Sequence, residues 1–171
     1  MTESILAQFD SQLFQNSSRV MSDLYEYHDY IAYGVVQEGK ITGFCHIVWD
    51  IEFSSVYLPL SHIIIGIADS EYRHNHDLES DVPTVKYGVD LRCRGGKIEN
   101  TTILPNTQSV LLLQYDTDNR LTFIGEHTFG TPDGFGAEIS YTDGKYSILY
   151  GVWQNGTLKY QYKDKNWVEV K

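Results

Sequence analysis

Apolar and polar residues alternate along most of the chain. Leu121 and Phe123 flank Thr122, and Tyr160 and Tyr162 interleave with Lys159 and Gln161. A period of two puts alternate side chains on opposite faces of an extended strand. Read this way, the chain predicts strands near 27–36, 41–49, 56–67, 83–94, 98–104, 108–115, 121–128, 135–141, 145–153, 157–162 and 166–170. Turn dipeptides punctuate them: Glu38-Gly39, Gly95-Gly96, Asp118-Asn119, Asp143-Gly144 and Asn155-Gly156. Asp-Gly and Asn-Gly suit two-residue hairpin turns, whose central residues both need positive φ. The N-terminus reads differently. Ile5, Leu6, Phe9 and Leu13 share one helical stripe, which predicts a helix over 3–15 ended by Asn16-Ser17-Ser18. The polar stretch 69–83 reads as a long loop. The expected fold is all-β: a single antiparallel barrel or sandwich of about ten strands with an N-terminal helix. It forms one domain over 1–171, with its β-sheet region at 27–170.

Composition agrees with a packed β domain. Of 171 residues, 42% are apolar and 21% charged, which suits a globular chain. Thirteen tyrosines favour strands. The net charge of −10 is unevenly placed: residues 1–81 hold 13 acidic and 3 basic side chains, and residues 82–171 hold 10 of each. The densest basic group, Arg92, Arg94 and Lys97, is too small for a nucleic-acid footprint. An acidic half attracts a basic protein partner and speeds its encounter. The longest apolar run, Ile63 to Ala68, is far below the roughly 20 residues of a membrane-spanning helix. No basic leader opens the chain, and Cys45 and Cys93 form no Cys-x-x-Cys pair. Both features fit a cytoplasmic protein with two buried, reduced thiols.

A weak internal echo runs through the chain. Tyr33-Gly34-Val35-Val36-Gln37-Glu38-Gly39 parallels Tyr150-Gly151-Val152-Trp153-Gln154-Asn155-Gly156, and Tyr87-Gly88-Val89 begins a third version. Each reads as strand, glycine turn, strand. In the C-terminal part, Gly134-Phe135-Gly136, Asp143-Gly144, Tyr146, Tyr150-Gly151-Val152-Trp153 and Asn155-Gly156 follow one another in an order that resembles the MORN repeat. The resemblance covers 134–160, with a degraded copy at 33–44 carried by Gly34, Gly39, Gly43 and Phe44. The Gly144 to Gly151 interval is two residues longer than the family's, and the copies are not in tandem. The resemblance implies stacked hairpins used for contact with proteins or membrane lipids, and no active site. Independently of it, Gly136 and Gly151 leave room for rings such as Phe135 or Trp153 to lie over bare backbone.

Candidate chemistry is sparse. His74 and His76 are two apart and share a face if extended, so with Glu79, and His127 from another strand, they form a candidate metal set. The His-x-His-then-Glu order resembles the cupin motif, one residue short in its spacing to the carboxylate. Cys45 and His46 are adjacent in a predicted strand and point to opposite faces, so they make no nucleophile–base pair. Gly134-Phe135-Gly136 precedes a strand, so it is no dinucleotide fingerprint. No cofactor is therefore expected, apart from a metal at the histidine set. Tyr30, Tyr33, Trp49 and Trp153 are the candidate ligand-binding residues, able to line a space for a small apolar ligand.

Three functions are open on these grounds. The first is a non-catalytic acidic binding protein, immunity- or adaptor-like, that contacts a basic protein partner. The second is a small-molecule-binding β-barrel, either a carrier or a cyclase or isomerase without a cofactor. The third is a cupin-like metalloprotein.

Overall fold

The computed structural model describes residues 20–21, 26–37, 40–53, 60–68, 85–163 and 166–171. The chain divides into two compact units, 1–104 and 105–171. Among the described residues each unit holds one antiparallel sheet in which every strand pairs with its neighbours in sequence. The first contains β1 (Val20–Met21), β2 (Glu26–Gln37), β3 (Lys40–Phe53), β4 (Leu60–Ala68), β5 (Val85–Arg94) and β6 (Lys97–Ile103). The second contains β7 (Leu112–Tyr115), β8 (Leu121–Thr128), β9 (Thr131–Thr142), β10 (Lys145–Gln154), β11 (Thr157–Lys163) and β12 (Asn166–Glu169).

The all-β, antiparallel expectation holds, and the single closed barrel does not. The described pairings end at β1 and β6 in one sheet and at β7 and β12 in the other. The cause lies between the units. Pro105 cannot donate to a ladder, Asn106 adopts φ 65, and Thr107–Ser109 wind into a single 3-10 turn. Backbone bonds from Val110 and Leu111 return to Thr107, so the strand expected from 108 begins only at Leu112. The expected helix over 3–15, the turn at Glu38-Gly39 and the loop 69–83 lie outside the described residues.

Hairpin chemistry follows the turn dipeptides. Gly95-Gly96, Asp143-Gly144 and Asn155-Gly156 all hold positive φ at both central positions. Phe129-Gly130 does the same at φ 51 and 81, with no Asn or Asp to announce it. The β7–β8 turn is built by Asp116, whose carboxylate accepts from the Asp118 and Arg120 backbone N–H groups and from Arg120 Nε, each at 2.9 Å. Those bonds hold the Asp116 carboxyl below the usual carboxylate range. The Arg120 guanidinium lies over the Tyr141 ring at 4.4 Å.

Small residues line up across both sheets. In the first, Gly34, Cys45, Gly66 and Gly88 are successive register partners. A Cβ on Gly66 would stand 1.8 Å from the Tyr87 carbonyl oxygen, so a neighbouring backbone occupies the space of a side chain. In the second, Gly125, Gly136 and Gly151 are in register. Two rings lie over this row: Phe123 over Gly125 and Gly136, and Trp153 over Gly136 and Gly151. The rings meet edge to face, centroids 5.0 Å apart. Trp153 thus does what the sequence suggested, and Phe123 supplies the second ring; Phe135 instead faces Trp167 at 5.9 Å.

Candidate functional site

Cross-strand register determines which polar residues of the first sheet meet. Directly opposed residues in antiparallel strands share a face. Tyr30 stands opposite Trp49, Trp49 opposite His62, His62 opposite Arg92, and Arg92 opposite Asn100. Two of the predicted ligand-binding residues, Tyr30 and Trp49, therefore occupy one row across the sheet, with His62, which the sequence did not single out, and Arg92, which stood out there only as part of a small basic group. Along β5, Gly88, Asp90 and Arg92 alternate on this face, and Asp90 is opposite Thr102. His62 Nδ1 is 3.6 Å from Asp90 Oδ1, and both side chains are 27% exposed. That Oδ1 atom is buried and accepts no hydrogen bond within the described residues. Arg94, the next cation on the same face, is engaged by Glu99 at 3.1 Å. Arg92 is exposed and forms no ion pair among the described residues.

On the opposite face the middle of the sheet, around His46, is core, and Cys45 and Ile47 on the Trp49 side are buried as well. Tyr33, His46, Ile65, Val89 and Ile103 are successive register partners, so Tyr33 belongs to the other row system from Tyr30. His46, between Tyr33 and Ile65 in this register, is 3% exposed, and burial lowers its pKa to about 3, leaving a neutral imidazole. Cys45 is fully buried, and burial pushes its thiol up to about 12, an unreactive state. Cys45 and His46 face different register partners, Gly66 and Ile65.

A like-charged pair marks the far end of β2 and β3. Asp29 is directly opposite Asp50, and Glu52 stands opposite Tyr27 two positions further on. No opposite charge shares those register positions.

In the second sheet, one face is aromatic. Tyr141 is opposite Tyr146, Tyr150 opposite Tyr162, and Tyr162 opposite Trp167, all half-buried. The Tyr162 and Trp167 rings are 5.1 Å apart. At the β8–β9 hairpin, Glu126 folds into a bulge. Its Oε1 accepts from the Phe135 N–H at 2.7 Å and occupies space left by the missing Cβ of Gly134. Burial, opposed in part by that hydrogen bond, raises the Glu126 pKa, and the Asp133 charge adds to the rise. Thr128 Oγ1 donates to Asp133 at 2.9 Å.

Of the proposed metal set, His74, His76 and Glu79 lie outside the described residues. His127 is in β8, where its Nδ1 accepts from the Gly130 N–H at 3.0 Å and so serves the hairpin turn. Among the described residues no group of three or more His, Cys, Asp or Glu could hold a metal ion. Trp153, the fourth predicted ligand-binding residue, is in the second unit, 5% exposed over the glycine row. Among the described residues no helix is long and apolar enough to cross a membrane. No protein-family model, curated protein or solved structure matches the chain.

Proposed function

We propose that the protein is a non-catalytic binding protein whose acidic first half contacts a basic protein partner. The observation that carries this reading is the Asp29–Asp50 pair, directly opposed in the register, with Glu52 beside it. Like charges directly opposite each other destabilise a sheet. Here they occur in a segment with 13 acidic and 3 basic side chains, where little is at hand to neutralise them. A cationic partner surface removes that repulsion on binding and is steered to it from a distance. The hairpin order of β9 to β11, similar to the MORN repeat, fits a contact role. Cys45 and Cys93, buried and unbridged, fit a cytoplasmic location.

The test begins with the chain immobilised in a gentle extract of its own source at low salt. The partner retained is then titrated over a range of salt concentrations. Affinity should fall steeply with salt, because exposed charges are screened within about 8–10 Å at physiological ionic strength. Asp29→Asn with Asp50→Asn should weaken binding and flatten the salt dependence. Affinity equal at low and high salt would sink the reading.

A further inference from the structure

Two hairpin tips at one end of the second sheet hold chemistry that the basic-partner reading does not use. Asn155-Gly156, in the β10–β11 turn, is the single Asn-Gly step of the chain. We propose that Asn155 is a site of spontaneous deamidation, and that the neighbouring β8–β9 tip controls its rate by holding the Gly156 N–H. The proposal is independent of the Asp29–Asp50 reading.

The reaction needs only groups of the turn and water. The Gly156 nitrogen gives up its proton and bonds to Cγ of Asn155. The Cγ–Nδ2 bond breaks, and Nδ2 leaves as ammonia with that proton. Water then opens the cyclic imide at either carbonyl, which leaves aspartate or isoaspartate. A glycine after the asparagine puts no Cβ beside the attacking nitrogen. Asn155 and Gly156 are both exposed, so water reaches the turn.

The nitrogen is held back from attack. Its N–H donates to the Pro132 carbonyl oxygen, in β9, at 2.8 Å. A Cβ on Gly156 would stand 3.3 Å from Thr131 Cγ2, so the two tips lie against each other. The β8–β9 tip is itself tied: Gly130 N–H donates to His127 Nδ1, and Thr128 Oγ1 donates to Asp133. Attack therefore waits for the tips to part, a local opening that leaves the rest of the sheet paired. The Asp143-Gly144 turn at the other end of β10 is the contrast. Its φ values, 53 and 76, match the 50 and 83 of Asn155 and Gly156. Among the described residues no backbone bond holds its Gly144 N–H.

The product alters this end of the sheet. Residues 126–134 and 151–157 include Glu126 and Asp133 and no lysine or arginine. Deamidation adds a further carboxylate there. Isoaspartate also lengthens the backbone by a methylene inside a two-residue turn. The conversion therefore loosens the contact that delayed it.

The test uses the full chain carrying Asp143→Asn, incubated folded at mildly alkaline pH, with tryptic peptide masses as readout. Peptides ending at Lys145 and Lys159 report the two Asn-Gly turns separately. Both should gain the mass of an amide-to-acid exchange, position 155 about three- to tenfold more slowly, the worth of one protein hydrogen bond. In urea the two rates should be equal. Gly130→Ala strains the β8–β9 tip at φ +81 and should speed position 155 alone; position 143 reports any global unfolding. The proposal is overturned by equal rates in the folded chain, by a difference that persists in urea, or by Gly130→Ala speeding both turns or neither. No product at position 155 once position 143 has converted fully overturns the site itself.

Discussion

Replacing Gly136 by alanine tests whether the second core is built on a bare-backbone row. A Cβ there would stand 2.8 Å from Phe123 Cζ, 3.0 Å from Phe123 Cε2 and 3.2 Å from Trp153 Cζ3. Carbon atoms pack at about 3.5–4.0 Å, so the Phe123 ring would have to withdraw by roughly 0.7 Å or more. It has little room. Phe123 is 4% exposed, its Cζ also lies close over Gly125, and Trp153 holds it edge to face. Overpacking of this kind costs about 1–3 kcal/mol. Alanine also lowers the entropy of the unfolded chain, offsetting about 0.4–1 kcal/mol. The net expectation is a loss of about 1–2 kcal/mol. In urea, with a slope of about 2 kcal/mol per molar, the midpoint should fall by roughly 0.5–1 M. Phe123→Leu makes room, so it should cost at least about 1 kcal/mol less in the Gly136→Ala background than in the wild type. Gly130→Ala is the control: nothing lies within 4 Å of its Cβ, but φ is +81. Its cost, about 1 kcal/mol, is backbone strain alone and should be indifferent to Phe123→Leu. Gly136→Ala as stable as the wild type, or Phe123→Leu equally costly in both backgrounds, would refute the reasoning.

Other outcomes follow from single groups. Phe129 sits at φ 51 and is 99% exposed, so Phe129→Asn should raise stability by about 0.5–1 kcal/mol in thermal melts; a loss would mean that the ring is packed. His46 is held neutral with a pKa of about 3, against 6.5 when free, so the unfolded chain takes up a proton as pH falls below 6.5. That contribution is intact above pH 6.5 and declines towards pH 3; at pH 5 it should have fallen by about 2 kcal/mol, and His46→Leu should abolish that part of the acid slope. Glu126 has a raised pKa, so its fold contribution is greatest below the unfolded value of 4.5 and is lost as pH rises through the raised value. Glu126→Gln keeps an oxygen for the Phe135 N–H without the charge, and its melting point should exceed the wild type's at pH 7 but not at pH 4.

Strand positions were legible because a period of two survives wherever one face is buried: β8 runs over Leu121–Thr128 as the alternation of Leu121, Thr122 and Phe123 predicts. Gly-Gly, Asp-Gly and Asn-Gly turns were legible for the same local reason. The break between sheets was not, because Val110 and Leu111 continue an apolar pattern that Pro105 and Asn106 interrupt only through the backbone. The Phe129-Gly130 turn carries no side-chain signal at its first position. Of the candidate site, Tyr30 and Trp49 were found by residue type. That they share a row with His62 and Arg92 was not legible, because register across strands distant in sequence is set by pairing and not by local spacing. The alternation of Asp90, Arg92 and Arg94 on one face of β5 was the available signal.

The Tyr-Gly-Val echo now has a physical meaning. Gly34, Gly88 and Gly151 each lie in a row of small residues, and the valine that follows each is buried: Val35 is 8% exposed, Val89 0% and Val152 3%. Glycine admits a close neighbour on one face while valine fills the core on the other, so the same triplet solves the same packing problem in both units. In the first unit this has a consequence for register. Gly88, Asp90 and Arg92 alternate along one face of β5, and Gly66 and Gly88 are locked together by backbone contact at their shared register position. His62 is four residues before Gly66 on β4, as Arg92 is four after Gly88 on β5. The close-packed glycines therefore fix the register that brings His62 opposite Arg92. A side chain at Gly66 or Gly88 would meet the neighbouring backbone and push β4 and β5 apart, so it would disturb that pairing four residues away.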